Sequence, residues 1–192
     1  MTPNLMGLLA LTPLLVLLLM VTRHDIRSRR IPNKLVLIGL VLGVVLNGLL
    51  PEGQGFNSAI PGGLGWLAAL RGSVVGMAVV LPIYWLRAMG AGDVKLMSMV
   101  GAFLGSADVL GAVLATFIAG GVMALAVVLW SRQLSRMLLN VKLILLGGFV
   151  KMSAGQAPLM NDLPVSVGKL PYAVAITVGT LGYLVWQRVG WM

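Results

Sequence analysis

Apolar runs recur along the chain at 5–21, 35–50, 66–86, 93–105, 109–130 and 170–187, parted by short segments that hold most of the charge. An α-helix needs about 20 apolar residues to cross the hydrocarbon core of a bilayer. Inside lipid every backbone polar group must be satisfied within the protein, as it is along a helix. With 59% hydrophobic and 10% charged residues and a mean hydropathy of +1.00, no water-soluble globule could hide this surface. The expectation is an all-α, polytopic membrane helix bundle of about six spans in the lipid bilayer, a single membrane-embedded domain over residues 1–192.

The first run is followed at once by Arg23-His24-Asp25-Ile26-Arg27-Ser28-Arg29-Arg30. A signal peptide has its basic residues before the apolar core and small residues after it, so this order predicts an anchor. Pro32 stands where a first helical turn tolerates a missing N–H, and Pro82 is placed to kink the third span. The fourth run is short and ends near Gly105, with Ser106-Ala107-Asp108 turning the chain into the fifth. Residues 131–146 carry Leu134, Met137, Leu138, Val141 and Leu145 on one helical face and Arg132, Gln133, Ser135 and Arg136 on another. That pattern predicts an interfacial helix. An irregular loop is expected over 152–169.

Under a six-span arrangement, one side holds Arg23, Arg27, Arg29, Arg30, Lys34, Arg87, Lys95, Arg132, Arg136, Lys142, Lys151 and Lys169, and the other only Arg71 and Arg188. Cytoplasmic loops carry the excess of Lys and Arg. The first side is therefore cytoplasmic, the interfacial helix lies there, and both termini lie outside. The same distribution explains the net charge of +9 without nucleic acid as a partner. Absence of Cys excludes thiolate catalysis, a disulfide framework and a cysteine-ligated zinc site.

Five acids occur in 192 residues, and two of them fall at the same predicted membrane depth. Asp93 lies in Met89-Gly90-Ala91-Gly92-Asp93-Val94-Lys95, where the glycines let backbone turn tightly and approach closely as the next helix begins. A carboxylate moved to the bilayer centre costs about 2.5–3.5 kcal/mol on insertion scales, which marks it as functional by default. Asp25 ends the first span. Two adjacent carboxylates cannot both ionise cheaply, so they share a proton, one acting as base toward water and the other as acid toward a carbonyl. Helix dipoles place the charge on Asp93, at a helix N-terminus, and the proton on Asp25, past a helix C-terminus. Water is then the nucleophile. His24 reads as a solvated loop residue, since a metal site needs more partners, and no metal or cofactor is expected.

Gly90-Ala91-Gly92-Asp93-Val94-Lys95 resembles the G-x-G-D-x-K motif of the type IV prepilin peptidases, a bacterial branch of the GxGD membrane aspartyl proteases. Asp25 with Ile31-Pro32-Asn33 is similar to that family's first-aspartate region, and Leu170-Pro171-Tyr172-Ala173 to its late proline motif. The resemblance implies cleavage of a short basic leader from a prepilin at the cytoplasmic face of the inner membrane, with Asp25 and Asp93 catalytic. Gly90, Gly92 and Lys95 then belong to the active-site loop, with Ile31, Pro32, Asn33 and Pro171 in support. Lys95 anchors at lipid headgroups or serves the site, since two positions past Asp93 is a different helix face. Pro32 and Asn33 shape the entrance to the second span. Many members carry a cytoplasmic insert with paired Cys-x-x-Cys motifs and N-methylate the new terminus. This chain has neither insert nor Cys, and so resembles the short peptidases of Flp, or tight-adherence, pili. It is expected to act on Flp-type prepilins and pseudopilins without S-adenosylmethionine.

Two other classes fit parts of the pattern. A preflagellin or signal-peptide-peptidase-like GxGD protease would share the chemistry, although the latter sets its first aspartate in a Tyr-Asp context that Arg23-His24-Asp25 does not match. A non-enzymatic assembly subunit or small transporter would use the aspartates as a proton relay, and would carry charged residues at midspan, where this chain has none. The oligomeric state leaves no mark in the sequence.

Overall fold

The structure is a computed structural model and describes residues 3–86, 89–130 and 171–190. The described residues form five α-helices: α1 (Pro3–Ser28), α2 (Asn33–Leu49), α3 (Trp66–Trp85), α4 (Ala91–Trp130) and α5 (Tyr172–Val189). Three segments, Gly7–Ser28, Trp66–Trp85 and Ala91–Trp130, are long and apolar enough to cross a membrane, and α2 is a shorter apolar helix. The predicted interfacial helix and the 152–169 loop lie outside the described residues.

The centre of the bundle is the first part of α4. From Asp93 to Gly105 every residue but Lys95 is buried, so this helix packs on all sides and shows lipid almost nothing. Gly105 breaks α4 with φ 81° and ψ 177°, a backbone region open to glycine and strained for other residues. The packing on α3 shows what the break does. A Cβ on Gly72 would meet Gly101 and Gly105, whereas one on Gly76 would meet Met97 and Val109. One turn along α3, the partner falls from 101 to 97 in one part of α4 and rises from 105 to 109 in the other. The two parts therefore run in opposite directions, and the chain doubles back at Gly105, where the sequence predicts the end of a short fourth run.

Small residues make these approaches possible. Gly72 and Gly101 face each other backbone to backbone, as lipid-embedded helices require when no hydrophobic force drives them together. Beside them Ser73 and Ser98 share a buried 2.8 Å hydrogen bond. Gly39 and Gly43 of α2 receive Met99 and Phe103. The core stripe of α1, Ala10, Leu11, Leu14, Leu17, Leu18 and Val21, recurs at helical spacing and continues to Asp25 in the next turn. In α5, Gly179 lies against Thr116, and Tyr183 against Gly111, which sets α5 antiparallel to the second part of α4.

The segment between α2 and α3 closes one end of the bundle. Gly53 and Gly63 pair through Gly53 N–H to Gly63 O, 2.9 Å, and Phe56 is buried beneath the turn. Asn57, also buried, donates to Leu184 O (2.8 Å) and Gln187 Oε1 (2.9 Å) and accepts from Arg188 Nε at 3.0 Å. At the same end Asp108 accepts from Tyr183 OH (2.8 Å) and Gln187 Nε2 (3.0 Å). The two aspartates lie at the other end.

Candidate active site

Asp25 sits within α1, one turn before its end, where the sequence places it in a loop past the helix. The helix continues through the basic stretch because its last turn is closed locally. Arg29 adopts φ 51° and donates its N–H to Asp25 O at 2.8 Å, a left-handed C-terminal closure. His24 Nδ1 lies 2.9 Å from Arg30 O and 2.7 Å from Ser28 Oγ. His24 is thus bound into this helix end as well as exposed to solvent. Among the described residues no group of three or more His, Cys, Asp and Glu could hold a metal ion.

The Asp25 carboxylate points away from that turn, into the protein. It is 7% exposed and accepts the backbone N–H of Ala173 at 3.3 Å. This N–H belongs to the first turn of α5, so a helix N-terminus from across the bundle faces Asp25. Pro171 starts that helix, with its carbonyl accepting Val174 N–H at 3.1 Å. One turn along α1, Thr22 Oγ1 meets Thr177 Oγ1 at 2.7 Å and Ala173 O at 3.3 Å, which locks α5 against α1 at this level.

Asp93 is 8% exposed and lies in the first turn of α4. Its Oδ2 accepts Gly90 N–H at 3.0 Å, and its own N–H returns to Gly90 O at 3.1 Å. Reciprocal bonding of this kind caps a helix start. Asp93 is therefore a capping residue, and its carboxylate is also close enough to Asp25 for the two charges to act on each other. Own-helix dipoles favour Asp93 as the anion, but the α5 N-terminus at Asp25 offsets that preference. Each carboxylate receives one backbone N–H.

Motif residues that are distant in sequence converge here. A Cβ on Gly92 would stand 2.9 Å from Ile31 Cβ, so the glycine is the seat of the Ile31 side chain. Lys95 Nζ donates to Asn33 Oδ1 at 3.2 Å on the exposed rim. Lys95 thus joins the first turn of α4 to the start of α2, which Pro32 opens as the residue before the first helical turn. Sequence reasoning names Tyr172 only within the Leu170-Pro171-Tyr172-Ala173 motif and gives it no role, yet its phenol is close enough to Asp93 for the carboxylate charge to act on it. A lone aromatic at a helix start gives no signal that it faces a site built by other helices. Thr22 and Thr177 were equally silent.

The model of the type IV leader peptidase family matches residues 12–125, more than half of the chain. The chain belongs to the type IV leader peptidase family. It is a membrane protein and a peptidase of the prepilin leader type, with prepilins in general as its substrates. The match covers both aspartates, Ile31-Pro32-Asn33 and Gly90–Lys95 and ends before Pro171, so the part α5 plays at the site rests on the geometry above. No curated protein and no solved structure matches the chain significantly.

Proposed function

We propose that the protein is an aspartyl endopeptidase that removes the short basic leader of Flp-type prepilins at the cytoplasmic face of the inner membrane. The observation that carries this reading is the placement of two buried carboxylates, Asp25 from α1 and Asp93 from α4, at one end of the bundle. Neither has a cation to neutralise it among the hydrogen-bond partners described above. Two acids brought together there are stable with a single proton between them.

Hydrolysis then proceeds with water as the nucleophile. The ionised aspartate takes a proton from water as its oxygen bonds to the scissile carbonyl carbon, and the protonated aspartate gives its proton to the carbonyl oxygen. The resulting gem-diol collapses as the C–N bond breaks. The departing nitrogen takes the proton that came from water, and a diol hydroxyl returns its proton to the other carboxylate. One water is consumed and the shared proton is restored. Gly90, Gly92 and Lys95 shape the loop that holds Asp93, Ile31, Pro32 and Asn33 brace it, and Pro171 sets the α5 N-terminus on Asp25.

Six spans, with both termini outside and an interfacial helix on the cytoplasmic side, complete this reading through the basic bias of the loops. Co-expression with a Flp-type prepilin tests the function, comparing the parent with Asp25→Asn and Asp93→Asn at matched membrane levels. Leader removal by the parent should fall by at least about 10²- to 10⁴-fold in each variant, the range attributed to a positioned acid or base. Full activity in either variant removes that residue from catalysis. If the parent leaves every prepilin intact, an assembly subunit or proton-relay transporter becomes the better reading.

A further inference from the structure

The carbonyl oxygen under attack gains negative charge as water adds, and a donor aimed at that oxygen lowers the barrier more than one that serves the ground state. Two backbone N–H groups at the site are already engaged, Gly90 on Asp93 and Ala173 on Asp25. Tyr172 lies beside the second of them. It is the first residue of α5 and the immediate neighbour of Ala173, its ring is half-buried against the core, and the Asp93 charge acts on its phenol. Among the described residues its O–H has no hydrogen-bond partner. Tyrosines buried to this degree usually find one; Tyr183 on the same helix bonds Asp108.

The ring is also seated. A Cβ on Gly120 of α4 would stand 3.0 Å from the Tyr172 oxygen and 3.3 Å from Cζ, so the absence of a side chain there leaves the space the phenol occupies. Resting on the aspartyl peptidase reading, we propose that Tyr172 is a further catalytic residue, whose O–H donates a hydrogen bond to the scissile carbonyl oxygen beside the Asp25–Asp93 pair. It transfers no proton. The hydrogen bond strengthens as the oxygen gains charge and relaxes when the gem-diol collapses, so the proton and electron count of the hydrolysis is unchanged.

The test is steady-state cleavage of a purified Flp-type prepilin by the full chain reconstituted in lipid, comparing the parent with Tyr172→Phe, Gly120→Ala, the double variant and Asp93→Asn. Removing one donor from an oxyanion site costs about 10²- to 10³-fold at its strongest, so Tyr172→Phe should lower kcat about 10- to 100-fold with KM within about twofold. Gly120→Ala shifts the phenol oxygen without removing it, so kcat should fall by a smaller factor. The double variant should lose less than the product of the two single losses, because the crowding methyl has no hydroxyl left to displace. A parental kcat in Tyr172→Phe, a loss confined to KM, or independent losses that multiply in the double variant would each leave Tyr172 as a packing residue and overturn the proposal. Those results leave the peptidase reading standing as long as Asp93→Asn is inactive beside an active parent. An inert parent removes that reading, and the role of Tyr172 falls with it.

Discussion

At the residue scale, two positions control how the site end and the opposite end are built. Gly92 lets Ile31 lie on the aspartate loop, with 2.9 Å between the Ile31 Cβ and the place a Cβ would take. Gly92→Ala should therefore push the loop from the start of α2, with a stability loss of about 1–3 kcal/mol for an inserted methyl group and slower leader removal. Ile31→Ala in the same chain should recover part of both, read by melting in detergent and by prepilin cleavage. No recovery would mean that Gly92 acts through its backbone alone. Asn47, 1% exposed, serves the break at Gly105. The break leaves carbonyls of the preceding turn without helical N–H partners. Asn47 Nδ2 reaches Ala102 O at 2.9 Å and Phe103 O at 3.2 Å, and its Oδ1 accepts Leu64 N–H at 3.0 Å. Asn47→Leu should cost about 1–3 kcal/mol by stranding these groups. Because it lies at the end away from the aspartates, the folded fraction should keep parental turnover. A low melting temperature with an unchanged rate per folded molecule supports this; a large rate loss would couple Asn47 to the site. Little near Asn47 in sequence announces its role, since three of its four side-chain partners lie 17, 55 and 56 residues away and the fourth, Gly43 O, is a carbonyl of its own helix. Asp93 was legible because its capping partner and its glycine turn are local.

At the element scale, hydropathy located the helices well, and their ends followed from chemistry that hydropathy does not weigh. The run predicted over 5–21 lies inside a helix that reaches Ser28, because His24 and Ser28 close the polar last turn by hydrogen bonds. That extension moves Asp25 from a loop onto a helix face. The last run was predicted over 170–187 and forms Tyr172–Val189, yet no periodicity could show that its N-terminus would meet Asp25. Pairing of distant elements is set by packing, and here small residues set it. Gly72 and Gly76 on α3 face Gly101 and Met97 across a backbone contact, which is invisible in the apolar pattern because glycine scores as a weak hydrophobe. Gly72→Leu should separate α3 from the centre of the bundle and leave little folded protein in the membrane. Val74→Leu, on an exposed position of the same helix, should insert and melt as the parent does. Equal yields of the two variants would remove close backbone packing as the basis of the α3–α4 pair.

At the scale of the whole molecule, the two ends differ in what they can do. The end away from the aspartates is tied down by mutually satisfied groups, with Asn57, Asp108, Tyr183, Gln187 and Arg188 bonded to one another. Among the described residues, the aspartate end keeps acids and a phenol O–H with bonding capacity to spare. A bundle fixed at one end and chemically open at the other has a direction, and the basic residues give it a sign. Lys34 stands at the aspartate end beside Asn33, and Glu52 at the other end in the segment after α2; both are exposed. The proposed orientation, drawn from the positive-inside bias, predicts Lys34 in the cytoplasm and Glu52 outside. The chain contains no Cys, so single cysteines can report this with no background. In spheroplasts, Glu52→Cys should react with a membrane-impermeant maleimide at once, and Lys34→Cys only after the membrane is opened. Cleavage activity retained in both variants would show that the labelled molecules are the working ones. The reverse pattern would turn the aspartates outward, and a leader still in the cytoplasm could not reach them.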